Sequence, residues 1–187
     1  MKIKPGKIAP PFTTLDLQGC EVDLESYRGR KVMLSFYRYA ACPFCNLRIN
    51  NLIKQHAAWQ EKGLEMLAVF QSPKEKMMKY VGRQEAPFPI IADPKRALYR
   101  LYGLETSWWG LMKGLMRLSE LRETLRKGFL KLDIDGRMAM LPADFLINED
   151  MEVVLAYYGR DIGDHLPVET IEQWIAGNDS MSESMNQ

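Results

Sequence analysis

Cysteine and histidine are scarce in this sequence, which has three cysteines and two histidines among 187 residues. An odd number of cysteines fits poorly with a framework of structural disulfides. A structural zinc site takes four ligands. The one closely spaced cysteine pair supplies two, and the other candidates are scattered without ligand spacing: Cys20, His56 and His165. The sequence therefore predicts neither a disulfide scaffold nor a metal site.

A strong charge of one sign and long apolar runs are also missing. The formal net charge is +1, and no block of like charge suggests a nucleic-acid surface. No apolar stretch approaches the length of a transmembrane helix, and the segment from Met1 to Gly6 lacks the apolar core of a signal peptide. We therefore expect a cytoplasmic protein that binds no nucleic acid and has little tendency to contact membranes.

The composition that remains is that of a globular chain, with 47% hydrophobic and 26% charged residues. The length suits one domain with an insertion. We predict a single domain over residues 1–177, a helical insertion at about 104–130 and a disordered polar tail over 178–187.

The apolar pattern predicts an α/β fold. Short apolar segments around Gly19 indicate an N-terminal hairpin, and apolar runs at 31–37 and 64–70 indicate two strands. A helix ending near Gly63 joins these strands, which gives a β-α-β unit with parallel pairing.

Later segments extend this pattern. Ser72 and Asp93 are expected to cap helices, and a hairpin is expected at 138–158. Pro167 is expected to begin a last helix that ends at Gly177. The sum is a central mixed sheet with helices on both faces.

The strongest chemical signal is Cys42-Pro43-Phe44-Cys45, directly after the first long strand. With Cys42 as the N-cap and Pro43 in the first turn, the helix N–H groups and positive dipole end point at the Cys42 sulfur. That environment favours the reactive thiolate. Cys45 lies one turn further on, where it can attack a mixed disulfide at Cys42. The pattern predicts a nucleophile and a resolving thiol; the alternative is a pair of buried structural cysteines.

Sequence spacing says less about the roles of the other titratable residues. Arg38, four residues before Cys42, either lowers the pKa of that thiol or is a solvated charge at the strand end. His56 follows Cys45 on the same helix by eleven residues, roughly 16 Å, which is too far for proton transfer. It is expected at the surface or in packing, and the position of His165 in its loop is left open.

Pro142 opens an apolar strand, where a residue without an N–H belongs at the strand start or in a special turn. Asp144 follows it, and because strand alternation leaves its direction open, a surface carboxylate is the preferred interpretation. Cys20 is expected to be a buried or half-buried thiol.

Several segments together resemble the peroxiredoxin family (alkyl hydroperoxide reductase/thiol-specific antioxidant): residues 8–12, 24–29, 36–45, 88–94 and 102–103. The resemblance covers about 5–103 and 138–177. The Cys-Pro-Phe-Cys segment is similar to the glutaredoxin active site, and residues 142–145 are similar to the cis-proline segment of thioredoxin-like proteins. These resemblances imply a thioredoxin-like fold in which Pro142 is cis and packs against Cys42.

The chain departs from the family at three places. Typical peroxiredoxins carry threonine or serine three residues before the reactive cysteine, a proline further upstream and an arginine at the position of Pro142, and these groups orient and polarise the peroxide O–O bond. This chain has Tyr39 and Pro142 at two of these positions and lacks the upstream proline. The segment from Arg38 to Cys45 instead resembles a divergent peroxiredoxin-like branch with C-x-x-C, which implies a thiol–disulfide oxidoreductase or a weak peroxidase.

We therefore predict an antioxidant-type oxidoreductase that cycles a Cys42–Cys45 disulfide, with Arg38 and Pro142 in the site. No nucleotide or flavin fingerprint is present, so we expect no bound cofactor and a thioredoxin- or glutaredoxin-type reductant. The substrate is a disulfide or a peroxide, and a homodimer is compatible with the sequence. One alternative is a true hydroperoxide reductase. Another is a binding or membrane-surface module that uses the Trp108–Arg117 stretch, for which core packing or a dimer contact is the favoured interpretation.

Overall fold

A computed structural model describes residues 1–109, 112, 122, 126, 128 and 137–177 of the chain. Eight strands are described: β1 (Lys7–Ile8), β2 (Thr13–Leu15), β3 (Glu21–Asp23), β4 (Lys31–Phe36), β5 (Leu64–Phe70), β6 (Ile90–Ala92), β7 (Ala143–Ile147) and β8 (Glu152–Tyr158). The helices that we number are α1 (Pro43–Gln60), α2 (Lys74–Lys79), α3 (Ala97–Leu101) and α4 (Val168–Ile175).

Six strands form one mixed sheet in the order β1-β8-β7-β4-β5-β6. The central strand β4 pairs parallel with β5 and antiparallel with β7. Strands β2 and β3 form the predicted N-terminal hairpin beside the sheet. The predicted α/β architecture, with a central mixed sheet flanked by helices, is confirmed.

Strand β4 divides the core because its side chains alternate between the two faces of the sheet. Met33 and Tyr37 join a cluster that includes apolar residues of α1 and α4. Leu34 and Phe36 join a second cluster on the opposite face, which includes residues of α3. Ser35, which lies between Leu34 and Phe36, therefore faces α1.

Helix α1 begins and ends where the local sequence predicts. Cys42 is its N-cap, with extended backbone angles, and Pro43 occupies the first turn. The chain leaves the helix through Gly63, whose φ of 81° is a left-handed value that glycine adopts without steric cost. The expected end near Gly63 and the strand over 64–70 are both confirmed.

Two capping residues have different outcomes. Asp93 accepts hydrogen bonds from the backbone N–H groups of Ala97 and Leu98 at the start of α3, as expected. Ser72 does not cap α2, which begins at Lys74 with Pro73 as its N-cap. The Ser72 hydroxyl is used elsewhere, in the loop before α1.

The predicted helix at 107–127 lies mostly outside the described residues, as does the predicted tail at 178–187. Ser107 is half-buried, and three large apolar side chains of the stretch are exposed: Trp108 by 72%, Trp109 by 81% and Met112 by 62%. Among the described residues, no helix is long and apolar enough to cross a membrane. Cys20 is exposed, so the expectation of a buried or half-buried thiol is wrong. It lies in the turn between β2 and β3, where the two-stranded hairpin leaves it uncovered.

Candidate redox-active site

The Cys42 sulfur lies at the start of α1, where two groups donate hydrogen bonds to it. The backbone N–H of Cys45 lies 3.4 Å from Sγ, and a guanidinium nitrogen of Arg38 lies 3.5 Å from it. The Cys42 side chain is fully buried, and Cys45 is nearly so. Because Sγ has no exposed surface, a substrate reaches it only when surrounding residues move.

The two thiols of the pair have opposite proton affinities. Burial alone would raise the pKa of Cys42, but hydrogen bonding from Cys45 and the positive charge of Arg38 lower it to about 6. Burial raises the pKa of Cys45 well above its usual value, and the adjacent Cys42 adds to this rise. At neutral pH the site therefore holds a thiolate at Cys42 and a protonated thiol at Cys45.

This difference predicts the pH dependence of alkylation. Cys42 should react with iodoacetamide through a titration with its midpoint near pH 6, because only the thiolate is nucleophilic. Reactivity is lost below the midpoint and constant above it. Peptide mapping by mass spectrometry after short exposures at pH 5 to 9 measures each cysteine separately. The exposed Cys20 is the internal control, and a Cys42 midpoint above pH 8 would contradict the assignment.

Arg38 is a buried charge beside the thiolate, not a solvated strand end. Its exposed fraction is 2%, and its other terminal nitrogen donates to the carbonyl of Met138. Its guanidinium lies 5.1 Å from the centre of the Tyr39 ring. Burial would lower the pKa of Arg38, but the nearby Cys42 raises it, so the guanidinium stays charged. The structure thus decides between the two interpretations left open by the sequence.

The loop between β4 and α1 is held by polar residues that sequence reasoning missed. The hydroxyl of Ser72 accepts the N–H of Ala40 at 2.7 Å. The Asn46 amide donates to the carbonyls of Ala40 and Cys42 at 2.7 and 2.9 Å. The backbone N–H of Gln71 donates to the carbonyl of Arg38. These bonds fix the backbone on both sides of the reactive sulfur; no local pattern distinguishes these residues from ordinary helix or loop positions.

Pro142 lies directly before β7 and is buried, but the expected cis bond is wrong, because the Leu141–Pro142 peptide is trans. A trans proline suffices at a strand start, where no N–H is needed for pairing. Its carbonyl accepts the N–H of Gly159 at 2.9 Å. A Cβ on Gly159 would lie 3.0 Å from the Pro142 ring and 2.3 Å from the carbonyl oxygen of Asp164. Glycine therefore permits this close approach.

The two histidines have different surroundings. His56 is buried in packing, with its ring 5.6 Å from the ring of Phe88. His165 is paired with Asp144, whose carboxylate lies 3.0 Å from Nδ1. The expectation of a surface carboxylate at Asp144 is wrong, because its exposed fraction is 0%. Asp144 lies opposite Ser35 in the β4–β7 register, which turns it toward α1 and the core.

A central mixed sheet carrying an activated cysteine at a helix N-terminus, with a second thiol one turn later, defines a thiol-dependent oxidoreductase of the thioredoxin fold. Comparison with family models identifies the particular family. Residues 5–156 match the AhpC/TSA family, and the chain belongs to it.

Similar proteins agree with this class. Peroxiredoxin Bcp of Escherichia coli (strain K12) is 26% identical over 156 residues, covering 82% of this chain and 94% of that protein. The thiol-disulfide oxidoreductase ResA of Geobacillus thermodenitrificans (strain NG80-2) is 33% identical over 100 residues, covering 53% of this chain and 57% of ResA. The crystal structure of peroxidoxin BcpB from Mycobacterium tuberculosis superposes with a TM-score of 0.65 at 15% identity, covering 93% of this chain and 95% of that one.

Proposed function

We propose that this protein is a thiol–disulfide oxidoreductase in which Cys42 and Cys45 cycle between dithiol and disulfide. The observation that carries the proposal is the pairing of unlike thiols, with the pKa of Cys42 lowered and that of Cys45 raised. The Arg38 guanidinium and the Cys45 N–H stabilise negative charge at Sγ of Cys42. In the reduced state, Cys42 is therefore the nucleophilic thiolate and Cys45 is a protonated thiol.

The proposed cycle has two exchange steps. The Cys42 thiolate attacks one sulfur of a substrate disulfide, forms a mixed disulfide and releases one substrate thiolate. Cys45 then attacks the Cys42 sulfur, loses its proton, and releases the second substrate thiolate. The substrate gains two electrons and the enzyme ends as the Cys42–Cys45 disulfide. A thiol reductant of the thioredoxin or glutaredoxin type returns it to the dithiol.

Hydroperoxide reduction is a second candidate, favoured by membership of the AhpC/TSA family. The Cys42 thiolate would attack a peroxide oxygen and break the O–O bond, forming a sulfenic acid, and the departing oxygen would take up a proton and leave as an alcohol or, from hydrogen peroxide, as water. The Cys45 thiol would then condense with the sulfenic acid to give the same disulfide and one molecule of water. Arg38, whose guanidinium lies 3.5 Å from the Cys42 sulfur, would supply positive charge beside the reacting peroxide. Tyr39 and Pro142 stand where typical members carry the groups that polarise the peroxide, so we expect this activity to be the slower one.

The cellular compartment and the oligomeric state of the protein are also proposals. Thiol reductants keep cysteines reduced in the cytoplasm, which is where we place the protein. The exposed side chains of Trp108 and Trp109 are compatible with a homodimer contact. The proposed cycle does not require the Trp108–Arg117 stretch to bind a membrane.

A redox titration distinguishes the two activities. In glutathione buffers of graded potential, mass spectrometry should show Cys42 and Cys45 converting together to one intramolecular disulfide, while Cys20 stays outside it. One equivalent of hydrogen peroxide should then oxidise Cys42 slowly. Oxidation complete within the mixing time would establish a peroxidase. Failure to form any reversible Cys42–Cys45 couple would refute both enzyme candidates.

A further inference from the structure

A cavity of about 430 Å³ lies beside α3, apart from the contacts of Cys42. Three arginines line it: Arg96 directly before α3, Arg100 within α3, and Arg137 in the segment that leads to β7. The buried ring of Tyr99 and the side chain of Met140 also line it. A volume of this size is typical of sites for small molecules.

The positive charge of this arginine cavity is not balanced by the protein. Glu105 is the one acidic residue in its lining, and the Glu105 carboxylate pairs with the ammonium of Lys2 at 3.4 Å. Among the described residues, the guanidinium groups of Arg96, Arg100 and Arg137 have no acidic partner. Like charges around one cavity repel one another, so an anion in the cavity would be stabilised.

Arg96 has a backbone conformation that is unfavourable for a residue with a side chain. Its φ of 54° and ψ of 39° are left-handed values, which glycine adopts without steric cost. Within the described part of the chain, no hydrogen bond or ion pair of the Arg96 side chain offsets this cost. Strained residues of this kind cluster at ligand sites, so the strain points to a ligand for this guanidinium.

Two series of contacts connect the arginine cavity with the Cys42 site. The hydroxyl of Tyr99 donates at 2.6 Å to the carbonyl of the residue directly before Arg38. Arg137 directly precedes Met138, whose carbonyl accepts a hydrogen bond from Arg38. Arg38 in turn donates to the Cys42 sulfur. The cavity and the reactive sulfur are therefore neighbouring sites, and both adjoin the segments that hold Arg38.

The backbone of the cavity wall is fixed by polar contacts. The N–H of Arg137 donates to Oε1 of Gln71 at 3.0 Å, and its carbonyl accepts from Nε2 at 3.1 Å. The N–H of Gln71 donates to the carbonyl of Arg38 at 3.1 Å. An antiparallel bridge between Thr106 and Met140 joins two further parts of the lining. The wall is thus held in place before any ligand binds, which favours affinity.

We propose that the arginine cavity binds the carboxylates of a small disulfide substrate and so selects which disulfides Cys42 attacks. This inference rests on the proposed function and names its substrate class. Guanidinium groups bind carboxylates through paired N–H bonds. Arg38 is already bonded to the sulfur and to a carbonyl, so the cavity arginines supply the recognition of the anion. In the exchange, the Cys42 thiolate attacks the substrate S–S bond, and one carboxylate-bearing thiolate leaves with its electron pair.

Calorimetry measures binding to the cavity without any redox chemistry. The probe is S-methylglutathione, a tripeptide thioether that has two carboxylates and cannot exchange disulfides. The parent protein should bind it with a Kd of about 0.1 mM. Arg96→Gly relieves the backbone strain and Arg137→Gln keeps the backbone bonds to Gln71, so both variants should fold. Each should weaken binding about tenfold, because a charge-assisted hydrogen bond is lost.

Arg28→Gln is the matched control for this titration. It removes an exposed arginine that pairs with Glu25 near the other end of β4, and it should leave the Kd unchanged. No binding by the parent, or equal binding by the parent and both cavity variants, would overturn the proposal. Tighter binding of inorganic phosphate than of the thioether would overturn the assignment to a carboxylate substrate.

Two chromogenic disulfides extend the test to the reaction. On a Cys20→Ser background, dithiobis(nitrobenzoate) has a carboxylate on each half, and dithiodipyridine is neutral. The cavity variants should react about tenfold more slowly with the first reagent, and this effect should shrink as salt is added. They should react unchanged with the second, because Arg38 and the Cys45 N–H still activate Cys42.

Equal slowing with both reagents would indicate a structural effect and overturn the role of the cavity in selecting substrates. A parent protein that binds the thioether but whose Cys42 reacts with neither reagent would instead refute the proposed function. Calorimetry would in that case still support the cavity as an anion site. The two failures are therefore distinguishable.

Discussion

Replacing Cys42 by serine is expected to abolish turnover with disulfide substrates, lowering the rate by more than about 10³-fold. A serine hydroxyl at this position stays protonated near neutral pH, so the Arg38 guanidinium and the Cys45 N–H no longer have a thiolate to stabilise. Insulin disulfide reduction followed by turbidity, with a thioredoxin-type reductant present, measures the loss. Cys20→Ser is the control and should keep full activity, because Cys20 is exposed and remote in sequence from the pair.

Cys45→Ser should give the complementary result. Cys42 still attacks, but no thiol resolves the mixed disulfide, so the substrate stays attached to Cys42. Non-reducing electrophoresis and mass spectrometry should recover the adduct, with its linkage mapped to the Cys42 peptide. An inactive Cys45→Ser protein that traps nothing under oxidising conditions would argue against the two-thiol cycle, as would a Cys42→Ser protein that retains turnover.

Arg38→Met is expected to shift the alkylation midpoint of Cys42 upward from about 6 by at least one pH unit. Methionine fills a similar volume but supplies no charge, so burial of the sulfur is no longer offset. Each unit of pKa corresponds to about 1.4 kcal/mol of lost thiolate stabilisation, which makes the Cys42–Cys45 couple about 30 mV more reducing. Glutathione titration of the variant measures this potential directly.

The same substitution changes how stability depends on pH. In the reduced protein, the pKa of Cys42 lies below its value in the unfolded chain. The thiolate therefore stabilises the fold above the unfolded-state pKa, and this contribution is lost as the pH falls through about 6. Arg38→Met should flatten that dependence in urea unfolding of the reduced protein.

Two controls frame the Arg38 result. Arg30→Met removes an exposed arginine that pairs with Glu65 and should shift neither the midpoint nor the potential. Arg38→Lys keeps a charge without the planar fork and should fall between the parent and Arg38→Met. A midpoint that stays near 6 in Arg38→Met would assign the activation of Cys42 to the helix N-terminus alone.

The sequence by itself determined the features that depend on neighbouring residues. The local pattern predicts three boundaries to within a residue or so: the ends of β5, the start of α1 at Cys42-Pro43, and the point where the chain leaves α1 at Gly63. Spacing in the same helix also placed Cys45 one turn after Cys42 and excluded His56 as its base. These inferences hold because helix periodicity, capping and strand alternation act over a few residues along the chain.

Only the tertiary structure decided which side chains surround the two sulfurs. Arg38 turns inward because the carbonyl of Met138, one hundred residues away in sequence, accepts its second hydrogen bond. The Ser72 hydroxyl accepts the N–H of Ala40 and does not cap the helix that the local sequence predicts for it. Asp144 is buried because the β4–β7 register sets it beside Ser35, and His165 reaches it across twenty-one residues. Such contacts depend on the order of the strands and the path of the loops, which no local pattern encodes. They determine which charged and polar groups lie around the buried thiols.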